Sequence, residues 1–172
     1  MDRLGTFAAG SVLYREEPHS LLRGERLTLF RREAERVQSE LDRLFAGPSP
    51  PRFLHLDVYL GNGKLIGNRL AVLDFDDSMW AFPAQDIAIS FFYLHYLRGF
   101  PEDLWLAFER GYRRIREWPM EGNEQLSLLL EARALDLLDV LVNDDRAQVQ
   151  ARLPELMQAV EDQIRELSSR RG

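Results

Sequence analysis

Cysteine is absent from the 172 residues, which excludes disulfides, thiolate-bound metals and a cysteine nucleophile. Lysine is almost absent: Lys64 is the single one, and every other basic side chain is arginine. No apolar run approaches the roughly 20 residues that span a bilayer, and Met1-Asp2-Arg3-Leu4 lacks a basic leader feeding a long apolar core. A cytoplasmic protein with no membrane partner is therefore expected. Positive charge is also in deficit, with 22 basic against 28 acidic residues and a net charge of −6. That balance argues against nucleic acid or an anionic surface as the main partner. Neither an internal repeat nor a low-complexity stretch is present.

At 45% hydrophobic the chain can bury one sizeable core, and its length favours a single domain over residues 1–172. Residues 4–14 mix small and apolar types and suggest a truncated helix. From Arg26 to Phe45, apolar Phe30, Ala34, Val37, Leu41 and Leu44 recur at three- and four-residue steps between charges, the mark of an amphipathic helix. The proline-rich Gly47-Pro48-Ser49-Pro50-Pro51 ends it. After Pro83 the chain turns helical again. Residues 87–96 are apolar nearly all round, as suits the centre of a bundle. Leu104, Trp105, Phe108, Tyr112 and Ile115 give the next helix its stripe; a leucine-rich helix spans Leu126 to Val142, and a last one opens at Pro154.

Between the first two helical stretches lie short β-type runs at Arg52-Phe53-Leu54, Lys64-Leu65-Ile66 and Arg69–Leu73. Gly67-Asn68 links the last two and tolerates the positive φ of a tight hairpin turn. The fold class predicted is mainly α, with one small β-hairpin. Asn62 stands at the entrance of that hairpin and Asp74 at its exit, so pairing in register brings together two side chains twelve residues apart in sequence. With Asp57 just upstream, this is the set that phosphoryl transfer asks for. One aspartate orients an attacking hydroxyl and accepts its proton, while an asparagine and a second aspartate hold a divalent cation against the phosphates.

Each feature has a plainer reading. Asp74-Phe75-Asp76-Asp77 taken alone is a solvated turn or helix cap, although three carboxylates within four residues repel one another and a bound cation relieves this. His55 alone satisfies a buried polar contact. His19 reads as solvated, His95 as a packed or rim residue, and Phe91, Phe92, Tyr93 and Tyr96 as core. Arg113, Arg114 and Arg116 read as a solvated helix face. The conjunction of His55, Asp57, Gly61, Asn62, Asp74 and Asp86 in one order is what distinguishes the chain.

These residues resemble the kinase-like phosphotransferases typified by aminoglycoside phosphotransferases and choline kinases. Those proteins carry a loop of the type His-Gly-Asp-x-His-x-x-Asn followed by a strand ending Ile-Asp-Phe or Ile-Asp-Tyr. Here the matching positions are His55, Asp57, Gly61 and Asn62, then Leu73-Asp74-Phe75. Asp74-Phe75-Asp76-Asp77 with Pro83-Ala84-Gln85-Asp86 is especially similar to the stress response kinase A branch, whose members phosphorylate protein serine or threonine; homoserine-kinase-like members are similar too. The resemblance implies the helical C-terminal lobe of a protein-kinase-like fold, Asp57 as catalytic aspartate, and Asn62 and Asp74 as ligands of Mg²⁺ and so of ATP. Asp76 would be a further carboxylate at the metal, and His55 and Asp86 would brace the catalytic loop. Leu56 departs from the pattern's glycine, and Tyr59 from its second histidine.

Family members also carry an N-terminal lobe with a glycine-rich loop and a lysine that pairs the ATP phosphates. Lys64 cannot fill that post at the start of the hairpin, so the C-terminal lobe alone is expected here. Two functions follow from the resemblance. One is an ATP- and Mg²⁺-dependent transfer of a phosphoryl group to a hydroxyl of a small molecule or a protein side chain. The other is a non-catalytic, pseudokinase-like binding module or truncated fragment. A surface left uncovered by a missing lobe predicts self-association or a covering partner.

Overall fold

The computed structural model describes residues 11–47, 50–98 and 102–169, without the side chains of Leu60 and of residues 94–98. The expected helix start at residues 4–10 and the packing of His95 and Tyr96 fall outside that description. Two compact units divide the chain: residues 1–47 with 131–172, and residues 48–130.

In the first unit, helix α1 (Gly24–Phe45) buries Leu29, Phe30, Ala34, Val37, Leu41 and Phe45. That is the three-and-four spacing read from sequence, with the helix starting two residues earlier. Each such side chain contributes about 1.5–3 kcal/mol on burial. Residues 4–14 end not in a helix but in a single 3-10 turn, Val12–Tyr14, whose Val12 N–H donates to the Asp139 carboxylate at 2.6 Å. His19 is half-buried and not simply solvated: its Nδ1 accepts from the Leu21 N–H at 3.3 Å and closes a local turn.

The last helix of the chain, Leu153–Ser169, packs on α1 and buries Leu153, Met157, Val160, Ile164 and Leu167. Its Glu161 is bound by Arg26 of α1 at 2.6 Å. A second ionic knot surrounds Arg36, which bridges Glu33 at 2.9 Å, Glu40 at 2.9 Å and the fully buried Glu131 at 2.5 Å. Burial alone would raise the pKa of Glu33, but hydrogen bonds from Arg36 and Arg32 outweigh it and hold that carboxylate below its ordinary range.

The second unit contains two antiparallel strand pairs. β1 (Arg52–Leu54) pairs with β4 (Met79–Ala81), Phe53 opposite Trp80. β2 (Gly63–Ile66) and β3 (Arg69–Val72) form the expected hairpin, with Gly67 at φ +63° in its turn. β4 is the correction to the single-hairpin expectation: three residues carry no readable alternation, and their partner lies 27 positions upstream. α2 (Pro83–Arg98) packs against β1 and buries Ile87, Ala88, Ile89, Phe91 and Phe92.

α3 (Glu102–Arg113) has a clear apolar stripe, yet buries none of its residues fully. Its Trp105 instead meets Phe91 and Trp118 edge-on at ring separations of 4.5 and 5.4 Å. Ile115, expected on that stripe, lies beyond the helix end and is 81% exposed. α4 (Asn123–Asn143) is the leucine-rich helix; its residues 131–143 belong to the first unit, which also holds the unforeseen single turn α5 (Ala147–Gln150) and the last helix, α6. No helix among the described residues is long and apolar enough to cross a membrane.

Replacing Arg36 by alanine withdraws the cation from a carboxylate that has no contact with solvent. The expected loss is about 3–5 kcal/mol, the range for breaking one side of a buried ion pair, read as a fall in the urea midpoint. A loss below about 1 kcal/mol would place Arg36 among ordinary surface pairs.

Candidate functional site

The loop from His55 to Asn62 connects β1 to β2, and its polar groups bond to one another before they meet solvent. Both protons of the Asn62 side-chain amide serve Asp57: Nδ2 donates to the Asp57 backbone carbonyl at 3.1 Å and to its carboxylate Oδ2 at 2.7 Å. That fixes the orientation of the amide and turns its oxygen, the only atom of the group able to ligate a cation, away from those two acceptors. Asn62 is buried and Asp57 half-buried.

Asp74 is placed from the other side. The β2–β3 register sets Gly63 opposite Val72, and the ladder continues one step further with the Leu73 N–H donating to the Asn62 carbonyl at 2.8 Å. The Leu73 carbonyl in turn accepts from His55 Nε2 at 2.9 Å. His55 Nδ1 accepts from the Asp57 N–H at 3.2 Å, so the ring proton sits on Nε2, which is the donor to Leu73. Both backbone groups of Leu73 are therefore held by the His55–Asn62 loop, immediately before Asp74. The next residue, Phe75, packs its ring on His55 with centroids 4.6 Å apart.

Two residues of this region have a left-handed backbone although neither is glycine: Leu56 and Asp74, both at φ +61°. Aspartate tolerates that conformation; a bulky leucine does so at a cost of about 1–2 kcal/mol. Leu56 is held there from two directions. Its side chain is 1% exposed, and its N–H donates to the Asp86 carboxylate at 2.8 Å. The substitution of leucine for the pattern's glycine is thus accommodated by burial and by an anchor on α2.

Desolvation pushes Asp86 above the usual carboxylate range, while the Leu56 hydrogen bond and the nearby His55 pull it the other way. Asp76 and Asp77 are exposed, as is Asp74. Water screens their mutual repulsion, so charge crowding alone does not call for a cation. Among the described residues no hydrogen bond or ion pair ties Asp76 to the other site residues, and no three carboxylates or imidazoles cluster closely enough to cage a metal.

The structure thus brings together His55, Asp57, Asn62, Asp86 and the backbone leading to Asp74, and leaves the Asp76 side chain exposed. Sequence reasoning missed the part played by Leu73, because a backbone contribution leaves no mark on residue type. It also read Tyr93 as core, whereas that half-buried ring lies against Tyr59, at 5.0 Å, in the loop itself.

The fold that carries this loop is a kinase-like one. An amicoumacin kinase, hAmiN, solved in complex with AMP-PNP, Ca²⁺ and Ami, superposes with a TM-score of 0.65 over 92% of this chain and 54% of its own, at 18% identity. The chain spans about half the length of that kinase, and the likeness establishes the fold. No curated protein matches the sequence. Residues 3–118 match the phosphotransferase enzyme family, and the chain belongs to that family.

Asp86→Ala would strip the acceptor from the Leu56 N–H at a strained position, with an expected cost of about 1–3 kcal/mol. Asp86→Asn keeps an acceptor and should cost less. The two also differ in pH dependence. With the folded pKa raised, the native state of the wild type is favoured fully below the unfolded carboxylate value and loses that advantage as pH rises through the folded one. The asparagine variant should lack that decline, which urea melts at several pH values between about 3 and 7 would show.

Proposed function

We propose that this chain carries the catalytic loop of an ATP- and divalent-metal-dependent phosphotransferase that acts on a hydroxyl group. The observation that carries the reading is the bond from the Asn62 amide to the Asp57 carboxylate, made beside the pinned Leu73 that leads into Asp74. In this reading Asp57 orients the acceptor hydroxyl and takes its proton as the oxygen forms its bond to the γ-phosphorus and the bond to the bridging β-phosphate oxygen breaks. Asn62 Oδ1 and the Asp74 carboxylate hold the cation, with Asp76 an exposed carboxylate nearby in sequence. His55 and Asp86 keep the loop in place.

The donor set suits Mg²⁺ in particular. That ion is commonly held by one or two protein oxygens together with waters and substrate phosphates, not by a cage of protein ligands. One amide oxygen and one carboxylate, with no cage of three acidic or imidazole side chains among the described residues, match such a site. When bound there, the cation supplies charge neutralisation between phosphate oxygens.

The acceptor class is a small molecule or a serine or threonine hydroxyl, and ATP is the donor. A second reading is a non-catalytic binding module, in which Lys64, an exposed residue of β2 paired with Ala71 in the hairpin, takes no part in nucleotide binding. A further partner suits the reading as well. Leu65 and Leu70 face each other across the hairpin at 71% and 65% exposure, and Phe53 and Trp80 are similarly open. Cover by a second copy or another polypeptide would remove these side chains from water.

Calorimetry with Mg²⁺ and ATP tests the assignment. Asp57→Asn should bind the nucleotide about as well as wild type yet lose about 10²–10⁴ in the slow transfer of phosphate to water. Asp74→Asn should lose the Mg²⁺-dependent part of the affinity, and equal affinity in that variant removes Asp74 from the metal. Absence of binding by the wild-type chain supports the module instead. On the surface question, light scattering should show association that Leu65→Ser with Leu70→Ser abolishes; a monomer at high concentration argues against a second copy.

A further inference from the structure

Helix α2 meets the loop twice. Asp86, in its first turn, accepts the Leu56 N–H at the loop entrance. Tyr93 lies against Tyr59 near the loop exit, ring centroids 5.0 Å apart and planes inclined by 40°. Tyr93 follows Asp86 by seven positions, which is close to two helical turns, so both stand on one face of α2. Behind Tyr93, the buried Phe92 presents its ring edge-on at 5.8 Å.

Tyr59 in turn folds back over Gly61. A Cβ added at Gly61 would sit 2.4 Å from Tyr59 Cε2, 2.5 Å from Cζ and 2.6 Å from the hydroxyl oxygen. No non-bonded carbon pair tolerates that approach. Gly61 is not among the positive-φ glycines, so what glycine provides here is room for the ring. The Asn62 N–H closes the short Leu60–Asn62 turn on the Tyr59 carbonyl at 3.0 Å. The ring therefore covers the turn whose last residue is Asn62.

We infer that Tyr59 is a positioning residue. Held between Gly61 and Tyr93, its ring fixes the Leu60–Asn62 turn and so keeps the Asn62 amide on the Asp57 carboxylate. The contribution is assigned to the ring, since Tyr93 meets the ring itself and the atoms nearest the Gly61 Cβ position are the ring carbons Cε2 and Cζ, with the hydroxyl oxygen beside them. Its consequence for metal and nucleotide rests on the function proposed above; the effect on the Asn62 hydrogen bond does not.

The test separates the two. In the ¹⁵N-labelled full chain, exchange of the Asn62 side-chain amide protons with solvent reports the bond to Asp57. Tyr59→Phe should leave exchange unchanged. Tyr59→Ala and Tyr93→Ala should speed it by about five- to tenfold, the scale of one hydrogen bond, while the melting midpoint moves little because Tyr59 is 36% exposed. Gly61→Ala should speed exchange in the wild-type background and add nothing in the Tyr59→Ala background, where the space for a Cβ is open.

Unchanged exchange in Tyr59→Ala overturns the inference, and so does a Gly61→Ala effect that is the same with and without the ring. Calorimetry on the same proteins then gives the functional arm. Tyr59→Ala should weaken ATP binding several-fold with Mg²⁺ present and leave metal-free binding alone, with Tyr59→Phe restoring the wild-type value. Equal Mg²⁺-dependent affinity in wild type and Tyr59→Ala overturns the link to the metal. A wild-type chain that binds no Mg²⁺ and ATP, but shows the exchange pattern, sinks the proposed function and leaves the positioning role intact.

Discussion

The peptide of Leu73 is the hinge on which the site depends. Its N–H is taken by the Asn62 carbonyl and its C=O by His55, so the loop that carries Asp57 and the turn that carries Asp74 share one rigid seam. The hairpin between them cannot supply that rigidity. None of its strand residues is buried and those from Lys64 to Leu70 are open to solvent, and a two-stranded ribbon in water is marginal by itself. Order must come from its base, where a buried histidine and a buried asparagine close the ladder. The histidine does this with both nitrogens, accepting from Asp57 on one side and donating to Leu73 on the other.

Strain and its compensation lie together here. The described chain has two non-glycine residues with left-handed backbone, and both border this seam. Such conformations persist only where surroundings over-determine them. For Leu56 the surroundings are a buried side chain and a hydrogen bond to Asp86. That carboxylate is itself kept in an unfavourable, desolvated setting, so the price of the loop is shared with α2.

Much of this was legible in residue order, for identifiable reasons. α1 and α6 announce themselves because charges alternate with apolar steps on a solvated helix, and the hairpin because Gly67-Asn68 separates two β-type runs. The grouping of His55, Asp57, Asn62 and Asp74 was visible as a motif. What could not be read was contributed by backbone or by long-range pairing. β4 is too short to show a period, and its partner β1 is distant in sequence. The anchoring of Leu73 uses only main-chain atoms. α3 shows the opposite failure: its stripe is clear, but its aromatic rings pack on one another while the helix stays largely open. The role of Tyr93 was hidden among neighbouring aromatic residues, although its spacing of seven from Asp86 was on view.

Because the ladder is fastened at residues 62 and 73, the far end of the ribbon is geometrically idle. Adding or removing two residues from each strand would keep both the pair at the base and the pair that closes the turn in hydrogen-bonded positions, whereas a change of one per strand would put the closing pair out of phase with a two-residue turn, and an unequal change would need a bulge. The interval of twelve between the asparagine and the aspartate is therefore a matter of register and not of length alone. The tip at Gly67-Asn68 is correspondingly a place where a tag, a label or a short foreign segment can be grafted without disturbing the chemistry below.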